Sequence, residues 1–116
     1  MSMNSQARIV IVGGGIMGVA LAYHLAEEGE TNVMLIEKGE LTSGSTWHAA
    51  GQCPSLVSNY NLAKIHDYGN RLYPTLEEKT GQYVSWHASG GIRVARQQAD
   101  IDWFHYMKGI ADNVGF

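Results

Sequence analysis

Ile9-Val10-Ile11-Val12-Gly13-Gly14-Gly15-Ile16-Met17-Gly18 is the stretch whose reading decides the fold. Four apolar, β-branched residues in a row suit a strand buried on both faces, and the pattern from Ile16 to Glu28 suits a helix. Between them lies the glycine turn. Gly13 and Gly15 can take backbone angles closed to other residues, so the main chain, including Gly14, can approach a pyrophosphate with no side chain in the way. Gly18 lets the helix lie close against the strand. The free amides and positive dipole end of that helix, at Ile16 and Met17, would then face phosphate groups. Taken alone, glycines at this spacing fit a mere tight turn equally well.

The next stretch narrows the choice. Val33-Met34-Leu35-Ile36 reads as a second strand, and it ends in Glu37, 19 residues beyond Gly18. That is where an acidic residue binds the hydroxyl pair of an adenosine ribose. Its bland alternative is a solvated carboxylate at a strand end. The whole unit points to an adenine dinucleotide with an unphosphorylated ribose, and it does not separate FAD from NAD.

The 116 residues leave room for one modest domain, and 45% hydrophobic residues make it globular. Only two strands of a parallel sheet are legible before the pattern changes after residue 40, so the chain reads as the N-terminal part of a longer enzyme and an incomplete domain. A net charge of -3 with scattered Lys and Arg gives no basic stripe, which argues against nucleic acid. Apolar runs fall well short of the roughly 18 to 20 residues that cross a bilayer, and no secretory signal or transit segment is visible before Arg8. One cysteine, Cys53, suits a reducing compartment, so the expected location is cytoplasmic. Cys53 reads as a small buried or loop residue rather than a nucleophile.

Further along, Met1 to Ala7 is polar and expected to fray. The first helix carries Ile16, Val19, Ala20, Tyr23 and Leu25 on an apolar surface, with His24 at its exposed or boundary side, and stops near Gly29. Lys38 to Tyr60, rich in Gly, Ser, Thr and Asn, reads as a long functional loop with a short helical piece. From Asn61, the spacing Leu62, Ile65, Gly69, Leu72, Leu76 restores helical period up to Gly81, with Pro74 expected to kink the helix or split it in two. Tyr83 to His87 and Ile92 to Ala95 read as the strands of an antiparallel hairpin across Ala88-Ser89-Gly90-Gly91, the start of a second, substrate-side sheet. Gln98 to Val114 reads as a helix with Ile101, Phe104, Met107, Ala111 and Val114 along one face, and Trp103 and Tyr106 as packing residues. His66, His87 and His105 each read as boundary or core residues.

Ser43-Gly44-Ser45-Thr46-Trp47-His48-Ala49-Ala50-Gly51 carries the rest of the chemistry. Its hydroxyls can hydrogen-bond a pyrophosphate or a flavin edge, and Gly44 and Gly51 permit tight turns. From chemistry alone, His48 is a proton shuttle, a metal ligand or a hydrogen-bonding loop residue.

Together with the opening glycine unit, the strand end Ile36-Glu37-Lys38 and the later Gly90-Gly91-Ile92-Arg93-Val94-Ala95, this loop resembles the flavoprotein dehydrogenases and oxidases of dimethylglycine, sarcosine and related N-methyl amines. The resemblance covers nearly the whole chain, and its most specific part is Gly44 to Gly51. It implies an α/β fold: a Rossmann-like FAD-binding βαβ unit over residues 1–51, ending in the attachment loop, with residues 52–116 leading into a substrate domain. It also implies FAD, bonded covalently through its 8α-methyl group to His48, with Gly13 to Gly18, Glu37, Lys38, Gly44, Ser45, Thr46 and Gly51 as the other cofactor-binding positions. A neutral imidazole is a competent nucleophile near neutral pH. The implied reaction is hydride transfer from the N-methyl carbon of an amino acid to flavin, giving an iminium, with oxygen or an electron-transfer flavoprotein as acceptor. Tetrahydrofolate belongs only to a longer parent. Kept beside this are a noncovalent amino-acid oxidase and an inactive dinucleotide-binding fragment.

Overall fold

Ile9–Val12 (β1) and Val33–Ile36 (β2) pair in parallel, joined by the helix Ile16–Glu27 (α1), in a computed structural model that describes residues 6–116. The register runs from Ile9 opposite Val33 to Val12 opposite Ile36, and Gly13 extends it by donating its amide to the Ile36 carbonyl at 2.8 Å. At the other end, the amides of Arg8 and Ile9 share the Asn32 carbonyl, and Arg8 pairs with Glu30. Most of the expected fraying stretch, residues 1–5, lies outside the described residues.

The sheet is two-sided in chemistry but covered on one side. Successive strand residues point to opposite faces. Ile11 is buried beneath α1, whereas Val10 and Val12 on the other face are exposed. Gly18 is the reason α1 can sit so low: a Cβ built there would fall on the Gly13 carbonyl oxygen and lie 3.3 Å from Ile11 Cγ2. The expected apolar face of α1 is only partly used, since Ile16 and Val19 are exposed while Ala20, Tyr23 and Leu25 are half-buried. His24 is half-buried and meets the Tyr23 ring edge-on. The helix ends through Gly29 at φ 84, with the Glu30 amide returning to the Leu25 carbonyl.

The chain divides into two compact units at Gly51 and Gln52. The second holds the helices Tyr60–Thr80 (α2) and Gln98–Val114 (α3). Asn59 caps α2 by accepting the Leu62 amide at 3.1 Å, and Gly81 closes it at φ 69. Ala63, Met107 and Ala111 form the buried seam, where two alanines leave space for the long methionine. That seam corrects the expected α2 face, because Leu62 and Ile65 point outward and Ala63, next to them, points in. Pro74 does not divide α2. It removes one rung, its missing donor to Asn70, and the flanking turns carry the helix through, with Thr75 Oγ1 donating to the Leu72 carbonyl at 2.8 Å.

The expected hairpin is not formed. Residues 83–95 are irregular, and the two parallel strands make the sheet among the described residues. Ser85 sits at φ 55, which breaks an extended run, and Ile92 at 93% and Val94 at 77% exposure have no apolar layer to pair against. Side chains hold the segment instead: Trp86 stacks on Tyr73 with centroids 5.6 Å apart, and the Arg93 guanidinium donates to the Leu56 carbonyl at 2.6 Å and to Met107 Sδ at 3.5 Å.

Candidate dinucleotide site

The first unit gathers its polar chemistry at the C-terminal end of the two strands. Parallel pairing brings Gly13 and Glu37 side by side, since each directly follows its strand. Gly13 turns the chain at φ 107, a region that favours glycine, and space stands open where its Cβ would be. Gly14 is buried, and a Cβ there would come within 2.6 Å of Leu41 Cδ2 and 3.0 Å of Glu37 Cβ.

Glu37 is half-buried and engaged through both carboxylate oxygens. Oε2 accepts the Gly14 amide at 2.6 Å, and Oε1 accepts the Gly39 amide at 2.9 Å. The Gly14 and then the Gly39 hydrogen bonds hold its carboxyl below the usual range against an opposing desolvation, with the Lys38 backbone and charge adding to them. Two amide contacts still leave lone pairs, because a carboxylate offers about four acceptor sites. A ribose hydroxyl pair is therefore compatible with this geometry.

The loop after Lys38 folds back on the glycine turn. The Thr42 amide donates to the Gly14 carbonyl at 2.9 Å, with Thr42 at φ 65, and Ser43 Oγ donates to the Glu40 carbonyl at 2.7 Å. Ser45–His48 form one turn of 3₁₀ helix, the expected short helical piece, entered from Gly44. Thr46 is half-buried, and its Oγ1 accepts the Ile16 amide at 2.9 Å. His48 Nδ1 lies 3.1 Å from the Gly44 carbonyl oxygen, and its ring is 4.2 Å from that of Trp47, which is exposed. A carbonyl only accepts, so this bond puts a proton on Nδ1 and leaves the Nε2 lone pair of the neutral ring for other chemistry.

Hydrogen bonds thus tie Glu37 to Gly14 and Gly39, Gly14 to Thr42, Ile16 to Thr46 and His48 to Gly44, while Gly13, Gly15 and Lys38 adjoin these residues along the chain. Met17, Gly18, Ser45 and Gly51 belong to the same unit, but no side-chain hydrogen bond among the described residues ties them in; Gly51, at φ 68, stands past the turn. Sequence reasoning missed Gly39, Leu41 and Thr42, which brace Glu37 and Gly14. A backbone amide or a left-handed threonine leaves no compositional trace. No group of three or more His, Cys, Asp or Glu side chains that could hold a metal ion exists among the described residues. Cys53 is exposed in the loop, and no helix among the described residues is long and apolar enough to cross a membrane.

A pyrophosphate fits these donors. No acidic residue occupies the first turn of α1, and the amides of Met17 and Gly18 belong to the helix end that lacks intrahelical partners. A crossover of this kind, with a strand-end carboxylate beside a glycine turn, defines a dinucleotide-binding α/β protein. The chain belongs to the FAD dependent oxidoreductase family, whose model matches residues 8–114. It is 52% identical over 101 residues to mitochondrial dimethylglycine dehydrogenase of Homo sapiens, covering 87% of this chain and 12% of that protein. It is 35% identical over 115 residues to mitochondrial sarcosine dehydrogenase of Homo sapiens, covering 96% of this chain and 12% of that one. Among solved structures, L-proline dehydrogenase from P. horikoshii superposes with a TM-score of 0.86 at 26% identity, over 97% of this chain and 29% of its own. The chain therefore spans about an eighth of the curated relatives it matches.

Proposed function

We propose that the chain forms the FAD-binding end of an oxidoreductase that oxidises an N-methyl amino acid such as dimethylglycine or sarcosine, with FAD bonded covalently to His48. The observation that carries this reading is the orientation of His48: Nδ1 is engaged by the Gly44 carbonyl, so Nε2 is the nitrogen free to bond the 8α-methyl carbon. The exposed imidazole follows directly on the turn docked against the helix end.

The residues divide the cofactor between them. Glu37 takes the adenosine ribose hydroxyls on its remaining lone pairs, and its negative charge disfavours a 2′-phosphorylated ribose. Because Glu37 occupies the Gly14 amide and Thr46 the Ile16 amide, the pyrophosphate falls to the amides of Gly15, Met17 and Gly18. Ser45 and the Gly51 turn line the path to the flavin. When bound, FAD supplies the two-electron acceptor for the amine, while the protein contributes position and electrostatics. An electron-transfer flavoprotein or oxygen would serve as the final electron acceptor.

Acid precipitation of the protein, followed by a flavin fluorescence scan of a denaturing gel, tests the assignment. Fluorescence is expected to stay with the wild-type polypeptide and to vanish in His48→Ala. Flavin released from both identifies a noncovalent amino-acid oxidase instead, and a folded product that binds no flavin identifies an inactive fragment.

A further inference from the structure

We propose that Thr46 is a positioning residue: its hydroxyl locks the 45–48 turn, and with it His48, onto the first amide of α1 before any cofactor arrives. The inference rests on the FAD reading above for its purpose, but not for its geometry. Ile16 opens α1, so its amide has no intrahelical partner, and Gly15 at the N-cap position brings no side chain of its own. Thr46, 30 residues further along the chain, supplies the missing acceptor at 2.9 Å. It is a cap provided from another element.

Two details show that the fit is built. A Cβ at Gly15 would stand 3.0 Å from Thr46 Oγ1, so a side chain there would push the hydroxyl back by a few tenths of an ångström. Within the turn, Thr46 is the half-buried member between exposed Ser45 and Trp47, so its hydroxyl faces inward by placement rather than by chance rotation. His48 closes the same turn through Nδ1 on the Gly44 carbonyl. The ring is thereby fixed to the turn, and the turn to the helix. The hydroxyl accepts from Ile16 and keeps its own hydrogen to donate to an anionic oxygen at that helix end. The helix end that meets phosphate and the imidazole that meets flavin are held in one arrangement, so binding incurs no separate ordering cost for the loop.

Thr46→Val, Thr46→Ser and wild type in the full chain test this with two readouts. The first is hydrogen exchange at the Ile16 amide in FAD-free protein. The second is FAD affinity by flavin fluorescence quenching, measured in a His48→Ala background so that binding is reversible. Thr46→Val is expected to speed Ile16 exchange and to weaken FAD binding about tenfold, in keeping with the loss of one helix cap. Thr46→Ser should return both to within about twofold of wild type, which a purely space-filling role would not produce. Wild-type rates and affinity in Thr46→Val, or a serine as poor as valine, overturn the proposal. If none of the proteins binds FAD, the functional reading fails instead, and Ile16 exchange alone decides Thr46: faster in valine supports the lock, equal rates reject it.

Discussion

Protonating Glu37 weakens the carboxylate as the acceptor of two backbone amides, those of Gly14 and Gly39. Its carboxyl is held below the ordinary 4.5 in the folded chain, so its contribution to stability is fully present above that value and is lost as pH falls through the lower, folded one. Urea midpoints measured from pH 6 downward should therefore drop in the acidic range below about 4.5. Glu37→Gln should show a shallower drop, and an identical pH profile in the two proteins would contradict the assignment. Gly18 gives a steeper test. Its missing Cβ is the space occupied by the Gly13 carbonyl oxygen, which is backbone and cannot swing aside. Gly18→Ala is expected to cost about 3 kcal/mol, the upper range for overpacking, by denaturant unfolding. A loss under about 0.5 kcal/mol, the scale of an ordinary surface change, would show that helix and strand are not in that contact.

At the scale of elements, the helices differ in how they are begun. α2 carries its own cap in Asn59, whereas α1 depends on a hydroxyl from the distant 45–48 turn. Asn59→Ala should therefore destabilise α2 by about 1 kcal/mol, and Asn59→Asp should recover most of it, measured as the shift in urea midpoint. Equal loss in both variants would mean that packing, not capping, is what Asn59 supplies. The same comparison explains why α2 survives Pro74. A helix with a side-chain cap at one end and a left-handed glycine at the other tolerates one missing rung, whereas an isolated hairpin at 83–95 had neither a third strand nor an apolar face to lean on.

Across the molecule, what was legible from sequence was whatever local pattern dictates. The β1 run, the Gly13 turn, α1, the β2 run and Glu37 fall where periodicity and spacing put them, because each is specified by neighbours a few residues away. The helices of the second unit were equally readable in extent, yet the inward face of α2 was not, since the burial of Ala63 depends on the packing of α2 against α3 rather than on its own local pattern. Residues 83–95 carry strand-forming side chains, and tertiary surroundings override that propensity. At the site, residue types announced Glu37, Thr46 and His48. Their partners Gly39, Leu41 and Thr42 engage mostly through backbone atoms, about which side-chain chemistry is silent. The bonds from Gly14 to Glu37 and from Ile16 to Thr46 join residues 23 and 30 positions apart. Each must wait until the crossover has closed and β2 lies beside β1, so the nucleotide end of the sheet is assembled late on the folding path. Glu37→Gln and Thr46→Val should accordingly hasten unfolding while leaving the refolding limb of a stopped-flow chevron nearly unchanged. The cofactor end of the chain is then the first region to come apart, and a ligand bound there slows the departure of the native state more than it quickens its arrival.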